Sequence, residues 1–579
     1  MLHTIPSAVF EVAKLYGDHA ALREKRGGQY HDITYAQLVD QVRRCAAGLR
    51  QLGLQPGDRV AVVAPNGTAW VVADLATMFA GGVTVPVHTT FSSALIRYVL
   101  EHSGASIVVA VGEGLLKKTA EAMRGLPAVR HLVVADTAIP EMAVVACHRW
   151  DDVIATAPLL APAPLQPDDA ASIVYTSGTT GLPHGVVLTH KNFLSNVTAS
   201  MLAIPVYPTD LFLSFLPLSH VLEHMAGYLM PLTHGATIAF AENPSTLKEN
   251  LLEVHPTILI AVPRVFEKFH DAVWAKANAG PAWRKRLFTW ALRQRHGTWQ
   301  HQLASRLVFA KVMRALGGRL RLSISGGAAL HPPLAKFFDR VGVQIYEGYG
   351  LTETSPVITV NSPAKRKFGS VGIPLSGVQV RISHDKEVLA RGENICAGYW
   401  QDEGATRELI DADGWLHTGD LGFIDPDEFL FIIGRRKEML VTAGGKNIWP
   451  AVLENAMNND SFIAQSMAVA HGKPYVAALV VPVWPVLLQE AQTQGWPADR
   501  KELLNHKGVR ALYQERITKA LADRPDFEQV RRFALLPDEF LAERDEVTPT
   551  QKLRRSVIER HYAKEIEGLY QIPPLAKGR

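Results

Sequence analysis

Residues 175–186 read Tyr-Thr-Ser-Gly-Thr-Thr-Gly-Leu-Pro-His-Gly-Val, a run rich in hydroxyls and glycine directly behind the apolar stretch 171–175. Glycines let the backbone take positive φ and turn successive N–H groups inward. The hydroxyls of Ser177, Thr179 and Thr180 add donors, so the run suits a loop that cradles a polyphosphate. It is not a Walker loop, because no Gly-Lys-Ser/Thr follows its first glycine at that spacing, and no Gly-x-Gly-x-x-Gly lies near it. A Ser/Thr/Gly turn without a ligand is the competing reading of this run taken alone.

Two further constellations carry chemistry. His220-Val-Leu-Glu-His224 fits H-x-x-E-H, which sets two imidazoles one helical turn apart beside a carboxylate and would suit zinc. In a chain with 22 histidines three fixed positions recur by chance, and the motif sits in the apolar stretch 215–225. Zinc is therefore the lesser reading, and an ordinary core helix has the same pattern. Between Asp271 and Asp339 there is no acidic residue, while Lys and Arg accumulate from Lys276 to Arg321 and Trp274, Trp283, Phe288, Trp290 and Trp299 are interleaved. Basic side chains with aromatics suit docking of the stretch 274–321 on an anionic membrane surface, where each adds about 1 kcal/mol. A solvated helical face over buried tryptophans is the competing reading, and no motif supports nucleic-acid binding.

The elements that must position these residues follow from short β-branched runs at 59–64, 83–87, 107–111 and 132–135, separated by segments of helical length. That alternation argues for parallel βαβ units. A Pro/Ala-rich linker is expected at 157–167, a buried helix at 69–79, and further buried strands at 257–262, 320–325 and 343–346. From about residue 368 short alternating strands with glycine turns, at 370–382 and 429–433, predict a small β-rich subdomain. The more charged C-terminal part offers helices at 452–458 and 508–522. The expected architecture is α/β: a large N-terminal domain over 1–434, built of βαβ subdomains plus the β-rich one, and a smaller, mobile α+β domain over 435–579. Hydrophobic residues at 47%, charged residues at 20% and a net charge of +4 over 579 residues are ordinary for a soluble enzyme and imply no polyanionic partner. Cys45, Cys147 and Cys396 are odd in number and far apart, which suits neither a disulfide framework nor a zinc ribbon and fits a reducing compartment. The N-terminus lacks a basic region followed by an apolar one, so the expected location is the cytoplasm.

Taken in order, the phosphate-loop run, Ser325-Gly-Gly-Ala-Ala329, Glu347-Gly-Tyr-Gly-Leu-Thr-Glu-Thr-Ser-Pro356, Trp415-Leu-His-Thr-Gly-Asp420, Gly434-Arg-Arg-Lys437 with Gly444-Gly-Lys-Asn447, and Thr548-Pro-Thr-Gln-Lys552 resemble the adenylate-forming (AMP-binding) superfamily over nearly the whole chain. Val262-Pro-Arg-Val-Phe-Glu-Lys-Phe-His270 and the last motif look most like long-chain fatty acyl-CoA synthetases. The resemblance implies ATP, Mg²⁺ and coenzyme A as cofactors and a fatty acid as substrate. It implies that Thr176, Ser177, Gly178, Thr179, Thr180, Gly181 and His184 hold phosphates. Gly327, Ala328, Glu347, Gly348 and Tyr349 would surround adenine, Thr352 would touch the α-phosphate, and Glu353 with Thr180 would hold Mg²⁺. Asp420 and Arg435 match ribose-binding positions, and His220 matches a residue beside the substrate carboxylate. The resemblance also implies that the stretch around His220 is a pocket wall, with Leu222, Met225, Tyr228, Leu229 and Met230 as candidate side chains. Lys552 matches a mobile lysine of the adenylation step, Lys437 a hinge, and Gly444, Gly445 and Lys446 a loop offered to the thiol acceptor.

The family usually has lysine where this chain has His184. Imidazoles as a class lose their proton near pH 6.5, so the cation at this position is conditional on pH. No Asp stands where amino-acid-activating relatives anchor an ammonium group, which favours a fatty or aryl acid. The expected activity is long-chain fatty acid–CoA ligation through an acyl-adenylate, in the cytoplasm or peripherally at a membrane. The alternatives are a fatty acyl-AMP ligase that loads a carrier protein and a non-catalytic nucleotide- or acyl-binding protein.

Overall fold

The computed structural model describes residues 4–138, 145–176, 182–294, 297–548 and 553–571. Two large sheets dominate it. In the first, of nine strands, Leu211–Ser214, Thr237–Phe240, Ile258–Ala261, Leu322–Ser325 and Ile345–Gly350 run parallel, with antiparallel strands at either edge. In the second, of eight strands, Arg59–Val63, Val83–Pro86, Ile107–Val111, His131–Ala135, Ala146–Arg149 and Ala170–Thr176 form the parallel part. The strand His184–Thr189 then returns antiparallel to Ala170–Thr176. Strands of the parallel parts are buried on both faces, which is why they read as continuous apolar runs in place of alternating ones.

The largest apolar cluster joins side chains of both sheets to the helices Tyr35–Gln51 and Thr68–Phe79. Thr68–Phe79 is buried almost all round, as its lack of a polar face requires. Burying a side chain the size of Trp70, Val71 or Leu75 stabilises by about 1.5–3 kcal/mol each, so a charge at Leu75 would be expected to unfold this seam. The helix lacks a side-chain cap from its own first turn; Glu24, on a neighbouring strand, accepts from the Thr68 hydroxyl at 2.9 Å instead.

The expected β-rich subdomain is a four-stranded antiparallel sheet that includes Gln379–Ile382, Glu387–Arg391, Leu416–Ile424 and Leu430–Arg435. Beyond it, a sheet formed by Ile463–Val469, Val476–Pro482 and Val530–Leu535 packs against Pro450–Asn458 and Lys507–Ala520. The two apolar clusters on its faces draw only on residues from 440 onward.

The basic stretch forms the crossover between Ile258–Ala261 and Leu322–Ser325, as the helices Pro263–Asn278, Ala282–Leu292, Trp299–Ala304, Ser305–Phe309 and Ala310–Ala315. Its aromatics divide. Phe288 is buried, and Trp274 and Trp290 pack against the cluster around it, whereas Trp283 and Trp299 are 60% and 69% exposed beside exposed Leu303 and Leu307. No described helix is long and apolar enough to cross a membrane.

Candidate active site

Chain segments leaving the C-terminal ends of the parallel strands meet where the two sheets face each other, the position at which open α/β sheets leave a crevice. Asn66, just after Arg59–Val63, joins the sheets: its amide donates to the Ser214 hydroxyl at 3.0 Å and the Leu216 carbonyl at 2.6 Å, and its carbonyl accepts from the Leu218 N–H at 3.0 Å. The crevice is a cavity of about 680 Å³. Thr176 and His184, His220, Gly327, Gly348, Tyr349, Thr352, Glu353 and Arg435 all line it, although they lie up to 259 residues apart (435 − 176). Thr548 and Lys437 also reach its wall.

One half is polar. The Tyr349 hydroxyl donates to Asp420 Oδ2 at 2.7 Å, and Arg435 Nε lies 3.0 Å from Asp420 Oδ1. Burial, and then Asp420, raise the Tyr349 phenol well above its ordinary range, and Asp420 also raises Arg435, so Tyr349 keeps its proton and Arg435 its charge on either side of the acid. Tyr349 is thereby held ring-on to the cavity. Gly350, the last residue of its strand, allows the close approach behind it, since a Cβ there would fall 1.7 Å from the Pro356 carbonyl oxygen. Nearby, the Tyr399 hydroxyl donates to Glu353 Oε1 at 2.9 Å. His184 Nδ1 stands 3.5 Å from Asp402 Oδ2, and its ring centroid is 4.8 Å from that of Tyr399. Asp402 is pre-oriented for this, because its Oδ1 caps the helix Glu403–Leu409 by accepting from the Ala405 N–H at 2.9 Å. Glu353, which shares the cavity wall with Glu387, Glu408 and Glu438, opens on a space with room for phosphates, and a carboxylate beside phosphate oxygens matches the donor set Mg²⁺ takes.

Much of the remaining wall is apolar, with Ile204, Val221, Leu222, Met225, Ala226 and Met230 beside the small polar Ser200. Its floor is a π-helix, Glu223–Leu229, and the wider turn splits the side chains between two faces. Leu222, Met225 and Met230 take the places expected of them on the cavity wall. Tyr228 and Leu229 do not: Tyr228 points away and donates to Asp74 Oδ2 at 2.8 Å, and Leu229 is in the core. The zinc reading of His220–His224 fails on the same ground. His220 faces the cavity, whereas His224 is fully buried, stacked on Phe193 at 5.0 Å and edge-on to Trp70 at 5.3 Å. Among the described residues no cluster of three or more His, Cys, Asp or Glu side chains forms a metal site.

Other expected site residues are placed elsewhere. Ala328 is in an exposed turn off the wall. Glu347 turns its carboxyl away to accept from the Leu330 N–H at 2.8 Å, and burial pushes it up to about 8, so it braces the turn that carries Gly327. Gly444, Gly445 and Lys446 form an exposed turn between the short strands Leu440–Val441 and Asn447–Ile448, away from the cavity wall. Ser177, Gly178, Thr179, Thr180, Gly181 and Lys552 lie outside the described residues. Sequence reasoning missed His88, Tyr399 and Asp402, of which the first two line the cavity.

A family model for AMP-binding enzymes matches residues 9–400, and one for the C-terminal domain of AMP-binding enzymes matches 437–572. The chain is an AMP-binding enzyme. Among curated AMP-binding enzymes, it is 34% identical to the long-chain-fatty-acid–CoA ligase FadD15 of Mycobacterium bovis, over 98% of this chain and 97% of that one. It is 31% identical to the peroxisomal long chain acyl-CoA synthetase 7 of Arabidopsis thaliana, over 94% of this chain and 82% of that one. Among solved structures, the anthranilate CoA ligase AuaEII with anthranoyl-AMP superposes with a TM-score of 0.77 at 20% identity, covering 98% and 99% of the two chains. The adenylation domain of a carboxylate reductase from Mycobacterium chelonae gives a TM-score of 0.80 at 22% identity, covering 98% and 91%. These likenesses place the α/β architecture of this AMP-binding enzyme with that of other adenylating domains.

Proposed function

We propose that the protein is a long-chain fatty acid–CoA ligase. A carboxylate oxygen of the acid attacks the α-phosphate of ATP, giving acyl-adenylate and pyrophosphate, and the thiol of coenzyme A then takes the acyl group and releases AMP. The observation that carries this is one cavity lined both by Tyr349 and Arg435, which Asp420 ties together, and by the apolar side chains of Leu222, Met225, Ala226 and Met230, with His220 and Gly327 also on its wall. The names of the relatives support the same reaction.

In this reading Tyr349 stacks on adenine against Gly327 and Gly348, and Asp420 and Arg435 take the ribose hydroxyls, one accepting and the other donating. Thr176, the residues 177–181 and His184 hold the β- and γ-phosphates, Thr352 touches the α-phosphate, and His220 lies beside the acid's carboxylate. Glu353 and Thr180 would hold Mg²⁺, which supplies neutralisation of charge on the phosphoryl oxygens. Residues 1–434 and 435–579 act as two domains with Lys437 as hinge. Rotation about it withdraws Lys552 after adenylation and brings Gly444, Gly445 and Lys446 to coenzyme A. The enzyme works in the cytoplasm and docks peripherally on membrane through 274–321, where exposed Trp283 and Trp299 flank basic side chains.

The deciding experiment is acid-dependent ATP–pyrophosphate exchange from acetate to oleate, with and without coenzyme A, with Lys552→Ala as control. Exchange peaking at long chains, lost in the variant, and acyl-CoA formed only with coenzyme A are expected. Exchange without acyl-CoA would transfer the assignment to a carrier-protein ligase. Sedimentation with vesicles tests docking: equal, weak binding to neutral and anionic vesicles would remove it.

A further inference from the structure

Two imidazoles from different sheets line the same cavity. His88 follows the strand Val83–Pro86 of the second sheet and His220 follows Leu211–Ser214 of the first, and their ring centroids are 6.4 Å apart. His220 already has a role in the ligase reading; His88 has none.

His88 is a held ring. Its Nδ1 lies 2.8 Å from the Ser219 hydroxyl, its face meets Phe91 edge-on at 5.0 Å, and only 6% of the residue is exposed. Burial pushes its imidazole down to about 4, so it is neutral through the physiological range. We assign the Ser219 hydroxyl as the donor to Nδ1, an assignment that puts the proton of the neutral ring on Nε2, the nitrogen across the ring from that contact. His88 lines the same cavity as Met225, Ala226 and Met230; a buried N–H donor there needs an acceptor, and the carboxyl oxygens of an acid whose aliphatic tail lies along those side chains would supply it.

We propose that His88 is a second substrate-binding imidazole, which with His220 holds the carboxyl group of the acid, and that Ser219 is the positioning residue that aims it. This rests on the fatty-acid reading of the apolar half. A neutral donor suits the task, since it orients the carboxylate without the counter-charge that would lower its nucleophilicity toward the α-phosphate.

The test compares His88→Leu, His88→Gln and His88→Asn by equilibrium dialysis of labelled oleate without nucleotide, and by the KM values for oleate and ATP. His88→Leu is expected to weaken oleate binding and raise its KM about tenfold, the loss of one hydrogen bond to a charged group, with the KM for ATP within twofold of wild type. The Gln amide reaches the place of Nε2 and should recover most of the affinity. The Asn amide stops at the place of Nδ1, keeps the Ser219 contact and should not. Wild-type oleate affinity in His88→Leu, or recovery by Asn equal to that by Gln, overturns the proposal. If the Leu variant fails to fold, by its melting temperature, the Gln and Asn pair decides. A wild-type protein that binds no oleate refutes the fatty-acid reading itself, and the proposal with it.

Discussion

Tyr399 donates its hydroxyl to Glu353 Oε1 at 2.9 Å, tying the short strand Gly398–Tyr399 to the carboxylate assigned here to Mg²⁺. The same tyrosine ring lies against His184, and His184 faces Asp402, so Glu353, Tyr399, His184 and Asp402 form one connected line, the first three of them on the cavity wall. None of these contacts is local in sequence, and each fixes a group that would otherwise swing into open space.

Tyr399→Phe removes that donor while keeping the ring against His184. A carboxylate no longer held in place binds a cation less well, and a lost hydrogen bond of about 1 kcal/mol corresponds to about fivefold. The Mg²⁺ concentration for half-maximal pyrophosphate exchange is expected to rise by about that factor, with the KM for the fatty acid unchanged. An unchanged Mg²⁺ titration would leave the bond a purely structural role.

His184→Lys tests the departure from the family's usual residue. Lysine keeps its charge through pH 8, whereas imidazoles as a class lose theirs between pH 6 and 7. The Asp402 carboxylate, 3.5 Å away, is available to either cation. The variant is expected to lower the apparent KM for ATP above pH 7 and to match wild type near pH 6; identical KM values for both proteins from pH 6 to 8 would refute the idea.

Much of this was legible in the sequence because it is carried by local pattern. The runs at 59–64, 107–111 and 257–262 are strands since only a doubly covered parallel sheet uses unbroken β-branched segments. The motif residues Thr176, Tyr349, Thr352 and Arg435 line one cavity because each leaves the C-terminal end of a strand or a neighbouring hairpin. His88 carried no such signal: its partner Ser219 is 131 residues away, and Val-His-Thr reads as any strand end. The H-x-x-E-H spacing misled for a related reason. It assumes both imidazoles on one helical face, and although the His224 N–H does donate to the His220 carbonyl at 3.0 Å, His220 stands at a bend before the helix and faces the cavity while His224 enters the core.

The apolar pocket makes chain length adjustable from its floor. Ala226 is 4% exposed and lines the cavity between Met225 and Met230. Ala226→Phe puts a ring into that space. Overpacking against a rigid wall costs about 1–3 kcal/mol, which bound oleate would have to meet and a short acid would not. The ratio of kcat/KM for octanoate to that for oleate is expected to rise at least tenfold, with the melting temperature as control. An unaltered ratio would mean that the chain runs elsewhere.

Behind that floor sit acids with no catalytic task, and they predict how stability depends on pH. Burial pushes Glu223 up to about 8 and Asp74 up to about 7. Gly227 makes room for the Glu223 carboxyl, which a Cβ there would meet at 2.5 Å. A raised carboxyl holds its proton in the fold while the unfolded chain releases it from about pH 4.3. Its contribution is therefore complete in acid, falls as pH rises, and is lost by about pH 8 for Glu223. Buried His88, His190 and His224, pushed down to about 4, 4 and 3, act in the opposite sense and cost stability below pH 6.5, where the unfolded chain takes up protons. The comparison with Glu223→Gln isolates the acid, because the amide has the same shape and no proton to lose. Its melting temperature should approach or exceed that of wild type as pH rises from 5.5 to 8.5, by several degrees at the alkaline end. A constant difference between the two proteins across that range would show that Glu223 does not titrate in the fold.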